Sequence, residues 1–206
     1  IKYAIEADQK IIVEPLGGFM RDLSWAAYPT TSFEKVSNQA MLERSAIPPK
    51  AVSKAIGIAK AYSESPQDTP LPTLFKDEEC PSIERNGQKL GWLDLVALEY
   101  GVYINGIDEL CITNLSSLDD VPSIKVCTGY QIEGEYYPNY PETGKYSSAR
   151  PIYAEFEGWM EDTSSIKEWD CLPEKCKAIL KEIGHFINAE ITMVSVGNDD
   201  TIIKGY

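Results

Sequence analysis

The chain has 206 residues, of which 43% are hydrophobic and 25% are charged, and its 19 basic and 32 acidic side chains give a formal net charge of −13. This composition excludes a generally disordered chain. The acidic balance, with no basic patch in the sequence, excludes a protein that coats nucleic acid. No apolar run approaches the roughly 20 residues that a membrane span requires, so we expect neither nucleic acid nor membrane among its partners.

The amino-terminal quarter of the chain predicts short elements. Residues 3–7 have the pattern of a helix end, and the β-branched run Lys10–Val13 predicts a short buried strand. The proline pair at 48–49 is well placed for a helix start. We therefore expect a helix over 51–56 and a strand over 57–62.

Two polar segments follow between residues 63 and 90. The sequence SESPQDTPLPT at 63–73 contains three prolines, which neither donate to a strand ladder nor continue a helix, so it predicts a loop throughout. A second polar stretch covers 77–89. We expect 63–90 to be a mobile loop region within a single structural unit that spans 1–206.

The most regular pattern begins at Gly91. In GWLDLVALEYGVYING the apolar residues recur at helical spacing, at positions 92, 95, 96, 100 and 103, and Asn105-Gly106 predicts the helix end. Leu110–Thr113 predicts a buried strand. Residues 124–132 and 135–137 predict a hairpin, and a loop-rich stretch follows to residue 151.

A helix and a strand are predicted near the end of the chain. Pro173 opens a helix whose inner face carries Cys176, Ile179, Leu180, Ile183 and Ile187, and 191–196 predicts a strand. Strands that alternate with helices predict an α/β fold with a mixed, mostly parallel sheet and flanking helices. Ligands gather at the carboxyl ends of such strands, so the segments after Thr113 and Val196 are the candidate site.

The cysteines and the histidine offer little chemistry. The five cysteines are Cys80, Cys111, Cys127, Cys171 and Cys176. An odd number without repeated spacing is a poor disulfide framework, so we expect a reduced, cytoplasmic protein. Cys171, Cys176 and His185 fit no zinc spacing and lack a fourth ligand, so we predict no metal site. His185 is the only histidine and has no supporting nucleophile motif, so we assign no catalytic residue.

Acidic pairs and glycine motifs were the remaining candidates. The sequence has neither GxxxxGK[ST] nor GxGxxG. Acidic clusters occur at 77–79, 119–120, 161–162 and 199–200. Paired carboxylates can bind Mg²⁺, but a solvated acidic surface is the simpler interpretation in a chain of this charge, and we adopt it for each cluster.

Several motifs occur in an order that indicates a family. GWLDLVALEYGVYING, ELCIT, SIKVCTGY, PIYAEFEGW, LPEKCKAIL and ITMVSVG follow one another, after AIEADQKIIVE, AAYP, AIPPKAV and KAY. This order resembles the carboxyl-terminal half of adenylosuccinate synthetase of the eukaryotic type, over essentially the whole chain. The resemblance implies part of that fold, a cytoplasmic homodimer of purine biosynthesis, and the joining of IMP to aspartate with GTP and Mg²⁺.

The resemblance also has gaps at the ligand loops. It implies that the phosphate loop and the catalytic aspartate and histidine belong to the other half, so we expect this chain alone to be inactive. The resemblance implies that the aspartate of the motif T-K-x-D recognises the guanine base. The corresponding residues here are Thr113–Ser116, so Ser116 replaces that aspartate, which puts guanine preference in doubt. The family's arginine-bearing TTGR loop is missing, since residues 86–90 lead directly into Gly91. The family's TRVG segment is replaced by residues 64–67, which begin with Glu64.

Thr113, Ser195 and Gly197 match the segments beside the base, and we predict that they form a nucleotide-base pocket. Ordinary strand-end turn chemistry is the alternative for all three. Two functions remain open: an adenylosuccinate synthetase-like protein, and a catalytically dead paralogue that acts as a binding or assembly module. The missing arginine loop favours the second, and the retained SVG and GWLDL segments favour the first.

Overall fold

The computed structural model describes residues 1–26, 30–76, 79–80, 83, 87–142, 144–197 and 201–203. The helices are α1 (Lys2–Glu6), α2 (Asn38–Arg44), α3 (Leu95–Asn105) and α4 (Glu174–Ile187). The strands are β1 (Ile56–Lys60), β2 (Ser63–Ser65), β3 (Lys89–Gly91), β4 (Leu93–Asp94), β5 (Glu109–Thr113), β6 (Ser123–Ile132), β7 (Glu135–Tyr137), β8 (Arg150–Glu157), β9 (Glu190–Ser195) and β10 (Thr201–Ile203). Within these ranges, no helix has both the length and the apolar content needed to cross a membrane.

The main sheet has the strand order β1-β5-β9-β10. β1, β5 and β9 are parallel, and β10 runs antiparallel to β9. Leu110, Cys111 and Ile112 of the central strand β5 are all buried, as expected for a strand that is covered on both faces. The prediction of a mixed, mostly parallel sheet with flanking helices is confirmed.

Helix α4 covers this sheet with a narrow apolar face and also packs against α3. Its buried residues are those that the helical spacing predicts: Cys176, Ile179, Leu180, Ile183 and Ile187. Full burial of one such aliphatic side chain stabilises the fold by about 1.5–3 kcal/mol. This face therefore fixes α4 on the sheet.

Helix α3 ends at Asn105, as its sequence predicts, but it begins at Leu95, so Trp92 of the predicted pattern precedes it. The Asp94 carboxylate accepts a hydrogen bond from the Ala97 N–H, and Gly106 follows the helix in the left-handed region, with φ +58°. Tyr103 was predicted on the apolar face, but it is 81% exposed. The helix buries Val102 instead, because the core lies on the neighbouring face.

A second sheet surrounds β6, which is its longest strand. β4 pairs with it in parallel, whereas β7 and β8 pair with it antiparallel. The β6–β7 hairpin is confirmed, and Glu133 and Gly134 both adopt positive φ, as a tight two-residue hairpin turn requires. β8 was not predicted, since its pairing with β6 depends on residues that are distant in the sequence.

Three local predictions are wrong. Lys10–Val13 forms no strand, and no helix covers 51–56, where a 3₁₀ turn at Pro49–Ala51 leads towards β1. Residues 63–73 are not loop throughout, because β2 pairs with β3 across the intervening segment. Lys10–Val13 has no described strand beside it. The strand at Ser63–Ser65 could not be predicted locally, because its partner β3 is distant in the sequence.

The ends of the 63–90 segment are held closely together, because Ser63 pairs in register with Gly91. The Trp92 N–H donates to the Thr73 carbonyl over 2.9 Å, and a side chain at Gly91 would collide with that same carbonyl. The close approach explains why this position needs glycine. The mobility of 63–90 stays a prediction, and part of the segment lies outside the described residues.

Candidate functional site

The candidate site lies at the carboxyl edge of the main sheet. Because β1, β5 and β9 are parallel, the segments that follow them leave the sheet on one edge. Lys60 at the end of β1 pairs in register with Thr113 at the end of β5. Ile112 pairs with Val194, which places Thr113 beside Ser195. The register thus brings the predicted strand-end residues together.

Hydrogen bonds tie two of the loops to each other. The Ser195 hydroxyl donates to the Gly197 carbonyl over 2.9 Å, and the Ser116 N–H donates to the Val196 carbonyl over 3.0 Å. The Thr113 hydroxyl donates to the Ala59 carbonyl over 3.4 Å. Since both hydroxyl protons are used on backbone carbonyls, each hydroxyl oxygen is left with acceptor capacity. Their role as a nucleotide-base pocket, together with Gly197, stays a prediction.

The turn after β5 presents two neutral polar side chains. Asn114 adopts a left-handed conformation with φ +61°, and a 3₁₀ turn follows at Leu115–Leu118, anchored by those two buried leucines. The Asn114 amide and the Ser116 hydroxyl are half-buried, and in the described part of the chain neither has a hydrogen-bond partner. Both are therefore available to a ligand.

An ion pair lies at the end of β1. The Lys60 ammonium group contacts the Glu64 carboxylate, and it lies 5.6 Å from the centroid of the Tyr62 ring. Glu64 is the acidic residue that stands where the family resemblance implies a TRVG segment. In the structure Lys60 compensates that charge, and Lys60 itself was not identified as a site residue although it belongs to the KAY motif.

A buried carboxylate lies at the start of α3, where β4 of the second sheet ends. Asp94 accepts hydrogen bonds from the hydroxyl groups of Tyr130 at 2.6 Å and Tyr146 at 3.1 Å. Burial raises the pKa of Asp94, and hydrogen bonds from Tyr130, the Ala97 N–H and Tyr146 oppose the rise. Asp94 was not identified from the sequence, although an aspartate directly before a helix is a recognisable cap.

Asp119 corrects the prediction that each acidic pair is solvated surface. It is buried, and its carboxylate accepts hydrogen bonds from the Trp159 indole N–H at 2.7 Å and the Thr163 backbone N–H at 2.7 Å. Asp120 is exposed, as predicted, whereas Asp199 and Asp200 lie outside the described residues. A buried acidic side chain with fixed donors has a structural function here.

No metal site is assembled in the described residues. No group of three or more His, Cys, Asp or Glu side chains there could hold a metal ion. Cys176 is fully buried under α4, whereas Cys171 and His185 are exposed. These three residues therefore share no site. Their sulfur and nitrogen atoms also do not fit Mg²⁺, which prefers oxygen ligands.

Comparison with known sequences gives one consistent match. A family model described as adenylosuccinate synthetase matches residues 1–203. The adenylosuccinate synthetase of Brachyspira hyodysenteriae is 33% identical over 213 residues, which cover 97% of this chain and 50% of that protein. That of Caldicellulosiruptor bescii is 33% identical over 215 residues, which cover 98% and 50%. The chain thus spans about half the length of the curated relatives it matches.

Comparison with solved structures agrees. A fully ligated adenylosuccinate synthetase from Plasmodium falciparum is similar with a TM-score of 0.93 at 25% identity, over 99% of this chain and 52% of that one. A cyanophage S-2L succinoaminodeoxyadenylate synthetase, bound to dGMP and to dATP as an energy donor, is similar with a TM-score of 0.54 at 12% identity. The second likeness concerns the fold alone.

Proposed function

The chain belongs to the adenylosuccinate synthetase family of purine biosynthesis, and from that premise we propose that it supplies the nucleotide-base pocket of a protein that joins IMP to aspartate with GTP. The phosphate loop and the catalytic aspartate and histidine would come from the part of the family fold that this chain does not span. We therefore propose that the chain alone does not catalyse the joining of IMP to aspartate.

The observation that carries this proposal is the convergence of the loops after β5 and β9. The Ser116 N–H bond to the Val196 carbonyl holds the two loops together, next to Thr113, Ser195 and Gly197. An edge formed by the carboxyl ends of parallel strands is the usual ligand position in an α/β sheet. A purine base placed there would meet hydroxyl and amide groups from both loops.

The polar groups of this edge support a relaxed choice of base. Guanine presents two neighbouring N–H donors, which a carboxylate recognises by charge-assisted hydrogen bonds. The corresponding position here is Ser116, whose hydroxyl both donates and accepts. Asn114 is also neutral. We therefore propose that ATP competes with GTP more effectively than it would at a site with a carboxylate.

The remaining partners follow from family membership. IMP, aspartate, GTP and Mg²⁺ are the proposed ligands of the whole protein, a homodimer is the proposed assembly, and the cytoplasm is the proposed location. The Lys60 ammonium group is the cation placed at the carboxyl edge by the end of β1, and Glu64 partly neutralises it. Anionic ligands would compete with Glu64 for this group.

A second candidate is a catalytically dead paralogue that acts as a binding or assembly module. Two features favour it: residues 86–90 lead directly into Gly91 without an arginine-bearing loop, and Ser116 stands where a carboxylate is expected. Arginine is the natural bidentate partner of a dicarboxylate substrate, so its absence removes the group that would hold aspartate.

Calorimetric titration of the purified chain with GTP, ATP and IMP, each with Mg²⁺, tests the base pocket on which the first candidate rests. A working base pocket gives binding at micromolar strength, about −8 kcal/mol. Ser116→Asp is expected to raise the affinity for GTP over ATP by about tenfold, since it restores a carboxylate acceptor. Ser117→Asp, in the same turn, is the matched control. Absence of binding by a folded chain favours the dead paralogue.

A further inference from the structure

A groove lies along α4, beside the amino end of β9. It therefore lies at the opposite end of that strand from Ser195 and Gly197, and does not belong to the candidate site described above. Its cavity volume is about 860 Å³, and Trp169, Lys177, Lys181, His185 and Glu190 are among the residues that line it. Pockets of roughly 300–1,000 Å³ are typical of small-molecule sites.

The charge of the groove contrasts with that of the chain. The chain carries −13, yet Lys177, Lys181 and His185 follow one another at four-residue intervals and so lie along one face of α4. One carboxylate, Glu190, lines the same groove. Lys177 and Lys181 thus bring two positive charges to this groove on an acidic protein, and an exposed ammonium group favours a negatively charged ligand.

Lys181 is the basic group that is most available. It is exposed, and within the described ranges it has no hydrogen-bond or ion-pair partner. Lys177 is already engaged, since its ammonium group lies 2.6 Å from the Glu174 carboxylate and donates to the Asp170 carbonyl over 3.2 Å. An anion in the groove would thus meet Lys181 first, with His185 one turn further along the helix.

The groove also contains aromatic and apolar side chains. Trp169 is half-buried beside the Asp170 carbonyl that Lys177 binds, and the apolar residues Leu180, Ala189 and Ile191 also line the groove. A tryptophan ring beside two lysines and a histidine suits a ligand that has both a flat ring and a negatively charged tail. Lys177 and His185 are separated by about 12 Å along the helix axis, so the groove is long enough for a ligand with both a ring and a charged tail.

We propose that this groove is a second binding site, for an anionic ligand with an aromatic ring, of the nucleotide class. The ring lies against Trp169, and the phosphate groups lie between Lys181 and His185. The site is independent of the proposed function, because it uses neither the loops after β5 and β9 nor any group at the carboxyl edge.

The test is a titration of the ¹⁵N-labelled chain with ATP, followed by amide chemical shifts. ATP is expected to shift the amides of Lys181, Gly184 and His185. Shifts of the Ser116 and Gly197 amides report the candidate base pocket separately, so failure of one site is distinguishable from failure of the other. Unshifted α4 amides at millimolar ATP would overturn the second site.

Two charge-reversal variants locate the binding. Lys181→Glu is expected to weaken ATP binding at the α4 amides about tenfold. Lys175→Glu is the matched control, since Lys175 is exposed on the same helix but binds Glu157 outside the groove. Equal losses in both variants would show that ATP responds to the net charge of the chain and not to the groove. A lower melting temperature for Lys181→Glu with unchanged ATP affinity would show that Lys181 only stabilises the helix. Either result would overturn the proposal.

The aromatic part has its own measurement. Trp169→Leu is expected to weaken ATP binding several-fold and to leave the binding of inorganic triphosphate unchanged. If triphosphate binds the unmodified chain as tightly as ATP does, the ring makes no contribution and the assignment to the nucleotide class is wrong.

Discussion

The amino-terminal region (1–55) and the sheet region (56–197) contain similar β-branched runs with opposite outcomes. Lys10–Val13 forms no strand, and Ile12 is 94% exposed. Leu110–Thr113 lies within β5, and Ile112 is 0% exposed. β5 has β1 and β9 as neighbours and apolar side chains around it, whereas no described strand pairs with Lys10–Val13. Partners, more than local hydrophobicity, therefore decide which run becomes a strand.

The two regions also use their buried carboxylates differently. Asp22 is fully buried and accepts hydrogen bonds from the backbone N–H groups of Ser24, Val36 and Ser37, so it folds a loop onto itself. Asp94 links α3 to side chains from two other parts of the chain. The first carboxylate organises a local segment, and the second joins elements of the core.

The largest expected effect comes from truncating the same residue type in both regions. Ile112→Ala leaves a cavity in the centre of the main sheet and is expected to lower the free energy of unfolding by about 3–4 kcal/mol. Ile12→Ala removes an exposed side chain and is expected to change it by less than about 0.5 kcal/mol. Urea denaturation followed by circular dichroism measures both. A loss above about 1 kcal/mol in Ile12→Ala would contradict the comparison.

A smaller effect is expected from removing the two buried carboxylates. Asp94→Ala leaves two tyrosine hydroxyls and a helix cap without their acceptor, and is expected to destabilise the whole fold by about 2–3 kcal/mol. Asp22→Ala is expected to act locally, with faster hydrogen exchange at the Val36 and Ser37 amides and unchanged exchange in β5. Native-state hydrogen exchange distinguishes these outcomes. Faster exchange throughout β5 in Asp22→Ala would show that the two regions unfold together as one cooperative unit, and would contradict the prediction.

The smallest effect concerns pH and the Asp94 carboxyl group. Burial raises the pKa of Asp94 in the folded protein, so the folded state holds this proton more tightly than the unfolded state. The stabilisation is complete below the unfolded pKa and is lost as the pH rises through the folded pKa. Relative to Asp94→Asn, the unfolding free energy of the unmodified protein should therefore fall with rising pH, by at most about 1.4 kcal/mol per pH unit.

Urea denaturation of both proteins at a series of pH values measures this difference. The comparison with Asp94→Asn cancels groups that titrate in the same way in both proteins. A difference that is constant, or that grows with pH, would show that the pKa of Asp94 is not raised by burial.

The sequence determined the elements whose stability is local or periodic. The apolar spacing of α4 names its buried face correctly, the Gly91–Gly106 pattern locates α3, and Leu110–Thr113 is found as a buried strand. The order of motifs also determined the family. Such features are readable because side chains three and four residues apart share a helix face, and because a continuous apolar run has few other uses.

The tertiary structure alone decided which distant residues meet. The register between β1, β5 and β9 places Lys60 beside Thr113 and Thr113 beside Ser195, and no local pattern contains that information. The burial of Asp94 and Asp119, the pairing of β8 with β6 and the exposure of Lys10–Val13 were missed for the same reason. Asp94, Asp119 and β8 have partners far away in the sequence that supply the hydrogen bonds or the apolar cover, whereas Lys10–Val13 has no strand partner among the described residues.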